Sequence, residues 1–120
     1  MRMRARGAAS FAEYAGILDV DAAEYDRLIA TLTINVSKFF RNPETYACIS
    51  AKVLPELWET RSPLIRIWSA GCATGEESYS LAVLCREHAL SMGDEARLDR
   101  LRIMGSDLDR EAISQASRGR

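Results

Sequence analysis

The stretch from Leu64 to Ala82 constrains this chain more than any other. LIRIWSA (Leu64 to Ala70) is a short apolar run behind the breaker pair Ser62 and Pro63, and it reads as a buried strand. It empties into the turn GCATGEE, with glycines at 71 and 75, and a helix starts near Glu76. That helix carries SYSLAVLCREHAL, with Tyr79, Val83 and Arg86 along one side. After a polar connection from Gly93 to Arg100, LRIMGSD reads as a second strand and DREAISQASRGR as a second helix. Strand, turn, helix, strand, helix is the opening of a parallel, right-handed, doubly wound α/β sheet. Sheets of that kind are normally covered on both faces, and two strands alone leave long unpaired edges. The 120 residues therefore read as the N-terminal portion of a larger protein, or as a chain that completes its sheet with an oligomer partner, the former being the simpler reading.

Ahead of Ser62 the grammar is helical. Ser10 with Glu13 and Asp21 with Glu24 have capping-box spacing. Behind the second pair, Tyr25, Leu28, Ile29 and Leu32 fall on one helical face. TINVSKFFRNP interrupts the pattern, and Asn42-Pro43 reads as an N-cap and first helical residue. Tyr46, Ile49, Val53 and Leu57 resume helical spacing, with Pro55 expected to kink or divide that helix. Phe39 and Phe40 read as core residues. This gives a helical N-terminal domain and linker over 1–61 and a partial α/β domain over 62–120.

Composition excludes several classes. With 16 basic and 17 acidic side chains the formal charge is −1, so the chain as a whole is not an electrostatic nucleic-acid binder. Arg2, Arg4 and Arg6 make only a weak basic patch and read as a solvated helix end. At 48% apolar and 28% charged residues the composition is that of a folded domain. No run approaches the roughly 20 apolar residues of a membrane span, and the arginines at the start have no apolar stretch behind them to make a signal peptide. Three cysteines without paired spacing and a single histidine, His88, suggest free thiols in a reducing cytoplasm and no metal site. His88 itself reads as a helix-surface residue.

The glycine-containing turn is the candidate site, because ligands of open α/β sheets sit at the carboxyl ends of the strands. Taken alone, it equally describes a tight turn that binds nothing. A phosphate loop would need lysine and a hydroxyl after the last glycine, and here Glu76 and Glu77 stand there instead. Paired carboxylates suit a ligand carrying ammonium or sulfonium charge, and S-adenosylmethionine carries both, together with a ribose diol. Asp107, at the tip of the second strand, is placed to accept ribose hydroxyls, whereas Asp109 reads more simply as the next N-cap. Cys72 lies in the turn, but no histidine base is evident nearby and it is not read as a nucleophile.

TINVSKFFRNPE, VLPELW, IWSAGCATGEESYSLA and MGSDLDREAISQASRGR, in this order, resemble the chemotaxis receptor methyltransferase (CheR-type) family across nearly the whole chain, least so in the helical N-terminal segment. The resemblance implies the first half of a Rossmann-like class I methyltransferase sheet, truncated here. It also implies an enzyme, a protein-glutamate O-methyltransferase, which makes γ-methyl esters on glutamates of methyl-accepting chemoreceptor cytoplasmic domains and leaves S-adenosylhomocysteine. By position, Asn35, Ser37 and Arg41 match cofactor-contacting residues, with Arg41 meeting the methionine carboxylate and lining the reacting centre. Ala70, Gly71 and Gly75 form the loop, Glu77 matches the contact to the amino group, and Asp107 matches the ribose-binding acid. The family's common proline after Glu-Glu is Ser78 here, a change of little expected consequence.

A carboxylate nucleophile is already ionised at neutral pH, so the implied chemistry needs positioning more than a base. Arg41 either aligns the cofactor or attracts the substrate carboxylate. The resemblance further implies that later strands, an Asn-containing motif and a small β subdomain lie outside these residues, so that the isolated 120-residue chain is weak or inactive. The alternative is a non-catalytic, truncated cofactor-sensing or receptor-binding module. A nucleotide-binding α/β domain is a third reading, opposed by the missing lysine and the paired glutamates.

Overall fold

A computed structural model describes residues 2–32, 37–60 and 62–119. The chain divides into two compact units, Met1–Ile34 and Asn35–Arg120. The expected boundary at 61/62 thus falls inside the second unit. The reason is physical: Leu54 and Trp58, from before that boundary, share one buried cluster with Ile65, Cys85 and Ala89 from after it.

The first unit holds α1 (Arg2–Ala5), α2 (Phe11–Val20) and α3 (Ala22–Leu32). Both expected caps form. Ser10 Oγ accepts from the Glu13 amide at 3.2 Å, and Asp21 Oδ1 accepts from the Glu24 amide at 3.0 Å. The unit is organised around a buried carboxylate rather than an apolar stripe. Glu24 is fully buried; it accepts hydrogen bonds from Arg2 Nε at 3.0 Å, Arg2 Nη2 and Tyr14 Oη at 2.9 Å. Arg6 and Arg27 stand 3.9 and 3.7 Å away. A buried charge must be paired to be tolerated, which corrects the reading of Arg2 and Arg6 as a solvated end. Tyr25 and Leu32 are exposed, so the α3 stripe is only half covered.

The second unit opens with α4 (Pro43–Cys48), which runs through a π-helical turn (Ile49–Val53) into α5 (Leu54–Glu59). Pro55 lacks an amide and its ring would collide with the carbonyl four residues back in a regular helix. The wider turn just ahead of it, where the Leu54 amide donates to Ile49 O, accommodates the proline without breaking the rod. The extra residue also rotates everything downstream. Tyr46 is buried as expected, but Leu54 and Trp58 are buried in place of Val53 and Leu57. Pro43 begins α4 as expected, whereas Asn42 sits at φ 62° and makes no side-chain cap.

The strands β1 (Ile65–Ala70) and β2 (Leu101–Ser106) pair in parallel, from Ile65 opposite Leu101 to Ala70 opposite Ser106. Between them run α6 (Glu76–Met92), closed by Gly93 at φ 65°, and a 3-10 helix (Glu95–Arg100). After β2 comes α7 (Arg110–Arg118), capped by Asp109 as expected. One face of β1 is buried against α6 and α5 through Ile65 and Ser69. The other carries Arg66, Trp68 and Ala70; Trp68 is 68% exposed, which corrects the reading of β1 as simply a buried strand. The buried side of α6 is Ser80, Leu81, Cys85 and Ala89, not the side of Tyr79 and Val83. Tyr79 turns instead towards α7, donating to Ala116 O at 2.6 Å. His88 is half-buried edge-on against Trp58, at 5.1 Å, and is not the surface histidine expected.

Candidate functional site

Parallel register brings the two strand tips level, so the loop after β1 and the acid after β2 meet. The amides of Gly71 and Cys72 both donate to Ser106 O, at 2.7 and 3.0 Å. The Ala73 amide donates to Asp107 Oδ2 at 2.8 Å, and Asp107 Oδ1 accepts from the Asp109 amide at 2.9 Å. Three bonds thus stitch the glycine loop to the end of β2. Among the described residues each Asp107 oxygen accepts a single bond, and a carboxylate has about four acceptor positions in all.

The two glycines answer to different neighbours. Gly71, at φ 77°, has no atom of the described residues beyond its chain neighbours within 4 Å of where a Cβ would stand, which leaves the backbone there open on that side. Gly75, at φ 98°, would place a Cβ 3.0 Å from that of Ala116 and 3.1 Å from the Tyr79 ring. Its missing side chain makes room for α7.

The paired glutamates opening α6 take different anchors. Glu77 Oε1 accepts from the buried Ser69 hydroxyl at 2.6 Å, which ties it to β1. Glu76 accepts from Thr74 Oγ1 at 2.7 Å to each oxygen. That bond, with a further one from Ser37, holds its carboxyl below the usual carboxylate range against the opposing effect of burial. Carboxylates also suit this end of a helix.

The linker ahead of α4 is fastened to the same helix. Besides the contact of Ser37 with Glu76, the Phe40 amide donates to Ser80 Oγ at 3.0 Å. Ser80 is fully buried and donates in turn to Glu76 O at 2.6 Å. Phe40 and Asn42 both adopt positive φ, 51° and 62°, so the turn around Arg41 is tight and strained. Phe39 and Phe40 are exposed rather than in the core, Phe40 meeting Tyr46 edge-on at 5.2 Å. Arg41 is exposed, its amide donating to Lys38 O at 3.3 Å.

Of the residues singled out from sequence, the structure brings Ser37 to α6, Glu77 to the base of the loop and Asp107 to its crest, with Ala70 at the tip of β1. Asn35 lies outside the described residues. Sequence reasoning missed Glu76 as the partner of Ser37, and it missed Ser69 and Ser80 altogether. The signal available was the i, i+4 spacing of Glu76 and Ser80 on one helix face. Cys72 is buried, and burial together with the Asp107 charge pushes its thiol pKa up, the opposite of an activated nucleophile. Among the described residues no group of three or more His, Cys, Asp or Glu is arranged to hold a metal ion, and no helix is long and apolar enough to cross a membrane.

A glycine turn between parallel strand tips, with carboxylates on the adjoining helix and strand and the Phe40 turn fastened to that helix, defines an α/β cofactor-binding unit. Residues 35–120 match the model of the CheR methyltransferase SAM binding domain, and the chain belongs to that family. It is 44% identical over 75 residues to a chemotaxis protein methyltransferase of Listeria monocytogenes, a match that covers 62% of this chain and 29% of that protein. It is 33% identical over 120 residues to the chemotaxis protein methyltransferase of Salmonella typhimurium, covering 98% of this chain and 38% of the relative. With chemotaxis protein methyltransferase 2 of Pseudomonas aeruginosa it shares 34% over 118 residues, 98% of this chain and 40% of that one. The chain thus spans well under half the length of these relatives. S-adenosylmethionine is the cofactor, and the donor set fits it: three carboxylates for a ligand bearing ammonium, sulfonium and a diol, with open backbone at Gly71.

Proposed function

We propose that this chain forms the cofactor-binding portion of a protein-glutamate O-methyltransferase acting on the cytoplasmic domains of chemoreceptors, itself in the cytoplasm. The observation that carries the reading is the convergence of Glu76, Glu77 and Asp107 on one glycine loop, with the Ser37–Arg41 turn fastened beside it. When bound, S-adenosylmethionine supplies a sulfonium-activated methyl group that an ionised carboxylate takes without a general base. The chain's own residues position and balance charge. Glu77, with Glu76 beside it, holds the ammonium end. Asp107 receives the ribose hydroxyls on the acceptor positions left by its two amide bonds. Ala70 and Gly71 give backbone access, Gly75 keeps the loop seated on α7, and Asn35, Ser37 and Arg41 close over the methionine end. Arg41 pairs with the carboxylate there and lines the reacting centre. The fold is the first half of a Rossmann-like class I sheet, and the bare face at Trp68 supports this, since parallel sheets are covered on both sides.

Radiolabelled methyl transfer to chemoreceptor glutamates tests the proposal. A longer protein containing this sequence is expected to label the receptor, and Arg41→Ala in it to lower labelling by at least tenfold. The 120-residue chain alone is expected to label weakly or not at all. Equal labelling by the short chain would overturn its incompleteness, and absence of labelling by the longer one would favour a cofactor-sensing or receptor-binding module.

A further inference from the structure

We infer that Ser80 is a positioning residue for the cofactor site: its buried hydroxyl holds the turn that presents Arg41, so cofactor affinity depends on it. This rests on the cofactor-site reading above. The hydroxyl proton is committed to Glu76 O at 2.6 Å, which aims an oxygen lone pair at the Phe40 amide 3.0 Å away. That bond joins residues 40 apart in sequence, and Arg41 follows immediately. The turn has reason to need an anchor. Phe40 and Asn42 sit at φ 51° and 62°, in the left-handed region that asparagine tolerates and a bulky phenylalanine rarely adopts. Phe39 is exposed, and apart from the edge-on contact of Phe40 with Tyr46 the turn has little apolar burial to hold it. Ser37, near Glu76 one helical turn earlier, only helps to hold that carboxyl low, so the Phe40–Ser80 bond is what fastens the turn to α6. Without it the turn relaxes, and the Arg41 guanidinium must be ordered at the expense of binding.

A double-mutant cycle on S-adenosylhomocysteine affinity, read by calorimetry, tests this. Ser80→Ala keeps α6, because alanine is the better helix former and the Glu76 carbonyl retains its helical amide. The expected loss is about fivefold, the equivalent of one net hydrogen bond. Added to Arg41→Ala, the same change should cost almost nothing further, since both act on one contact. A residue that merely supported the fold would cost the same in either background, and full additivity overturns the inference. In the unaltered longer protein, the Phe40 amide should exchange its hydrogen about fivefold more slowly with ligand bound, because linkage is reciprocal; unchanged exchange also overturns it. The measurements are made in a longer protein containing this sequence; if that protein, unaltered, binds no ligand, the site reading falls and takes this one with it. Binding with additive losses sinks this inference alone.

Discussion

Gly71 and Gly75 lie four residues apart in one loop, both at positive φ, and substitution separates their duties. Gly75→Ala meets both backbone strain and the Ala116 contact. It should destabilise the α/β unit by about 1–3 kcal/mol in urea unfolding. Gly71→Ala meets strain alone, about 1–2 kcal/mol, and in addition should weaken S-adenosylhomocysteine binding, because its methyl fills space the ligand uses. Equal stability losses with equal affinities would show that neither glycine faces a ligand. Glu24 makes a different residue-scale case. Its hydrogen bond from Arg2 holds the carboxyl below its usual range, against burial. A depressed acid stabilises the fold fully above its unfolded value, about 4.3, and the contribution is lost as pH falls through the lower folded value. Acid unfolding of the helical unit followed by circular dichroism should therefore begin near that pH, and Glu24→Gln should remove the dependence.

At the scale of elements, the turn preceding Pro55 sets which residues the α4–α5 rod buries. Leu54→Ala should cost about 2–5 kcal/mol, the range for emptying a buried leucine site. Val53→Ala, at a position 42% exposed, should cost well under half of that. Urea denaturation midpoints of the two variants check the register, and the reverse order would mean a regular helix. The helices themselves were legible in the sequence, because caps at Ser10, Asp21 and Asp109 and the stop at Gly93 are local chemistry. The buried face beyond Pro55 was not, since a single added residue in a helical turn leaves no trace in apolar spacing when Val53, Leu54, Leu57 and Trp58 are all apolar. The strand at 65–70 was legible for its apolar run, but the same run concealed that Trp68 faces outward.

For the molecule as a whole, the division at residue 34 puts the linker with the cofactor unit, where the family model also begins. The acidic loop and the strand order could be read directly from GCATGEE and the two apolar runs. The fastening of the linker could not. It depends on the Phe40 amide meeting Ser80, as the stitching of the loop depends on the Ala73 amide meeting Asp107, pairings of distant residues that no local pattern encodes. These distant bonds tie together segments that the sequence shows only as separate motifs, and the proposed function takes them as one cofactor site. Amide chemical-shift mapping during titration with S-adenosylhomocysteine tests that claim most directly. Shifts that rise together at Phe40, Arg41, Gly71, Glu76, Glu77 and Asp107, saturating with one affinity, are the predicted result. Shifts confined to one of these segments, or spread over the exposed face of β1 while the loop and linker stay silent, would contradict it.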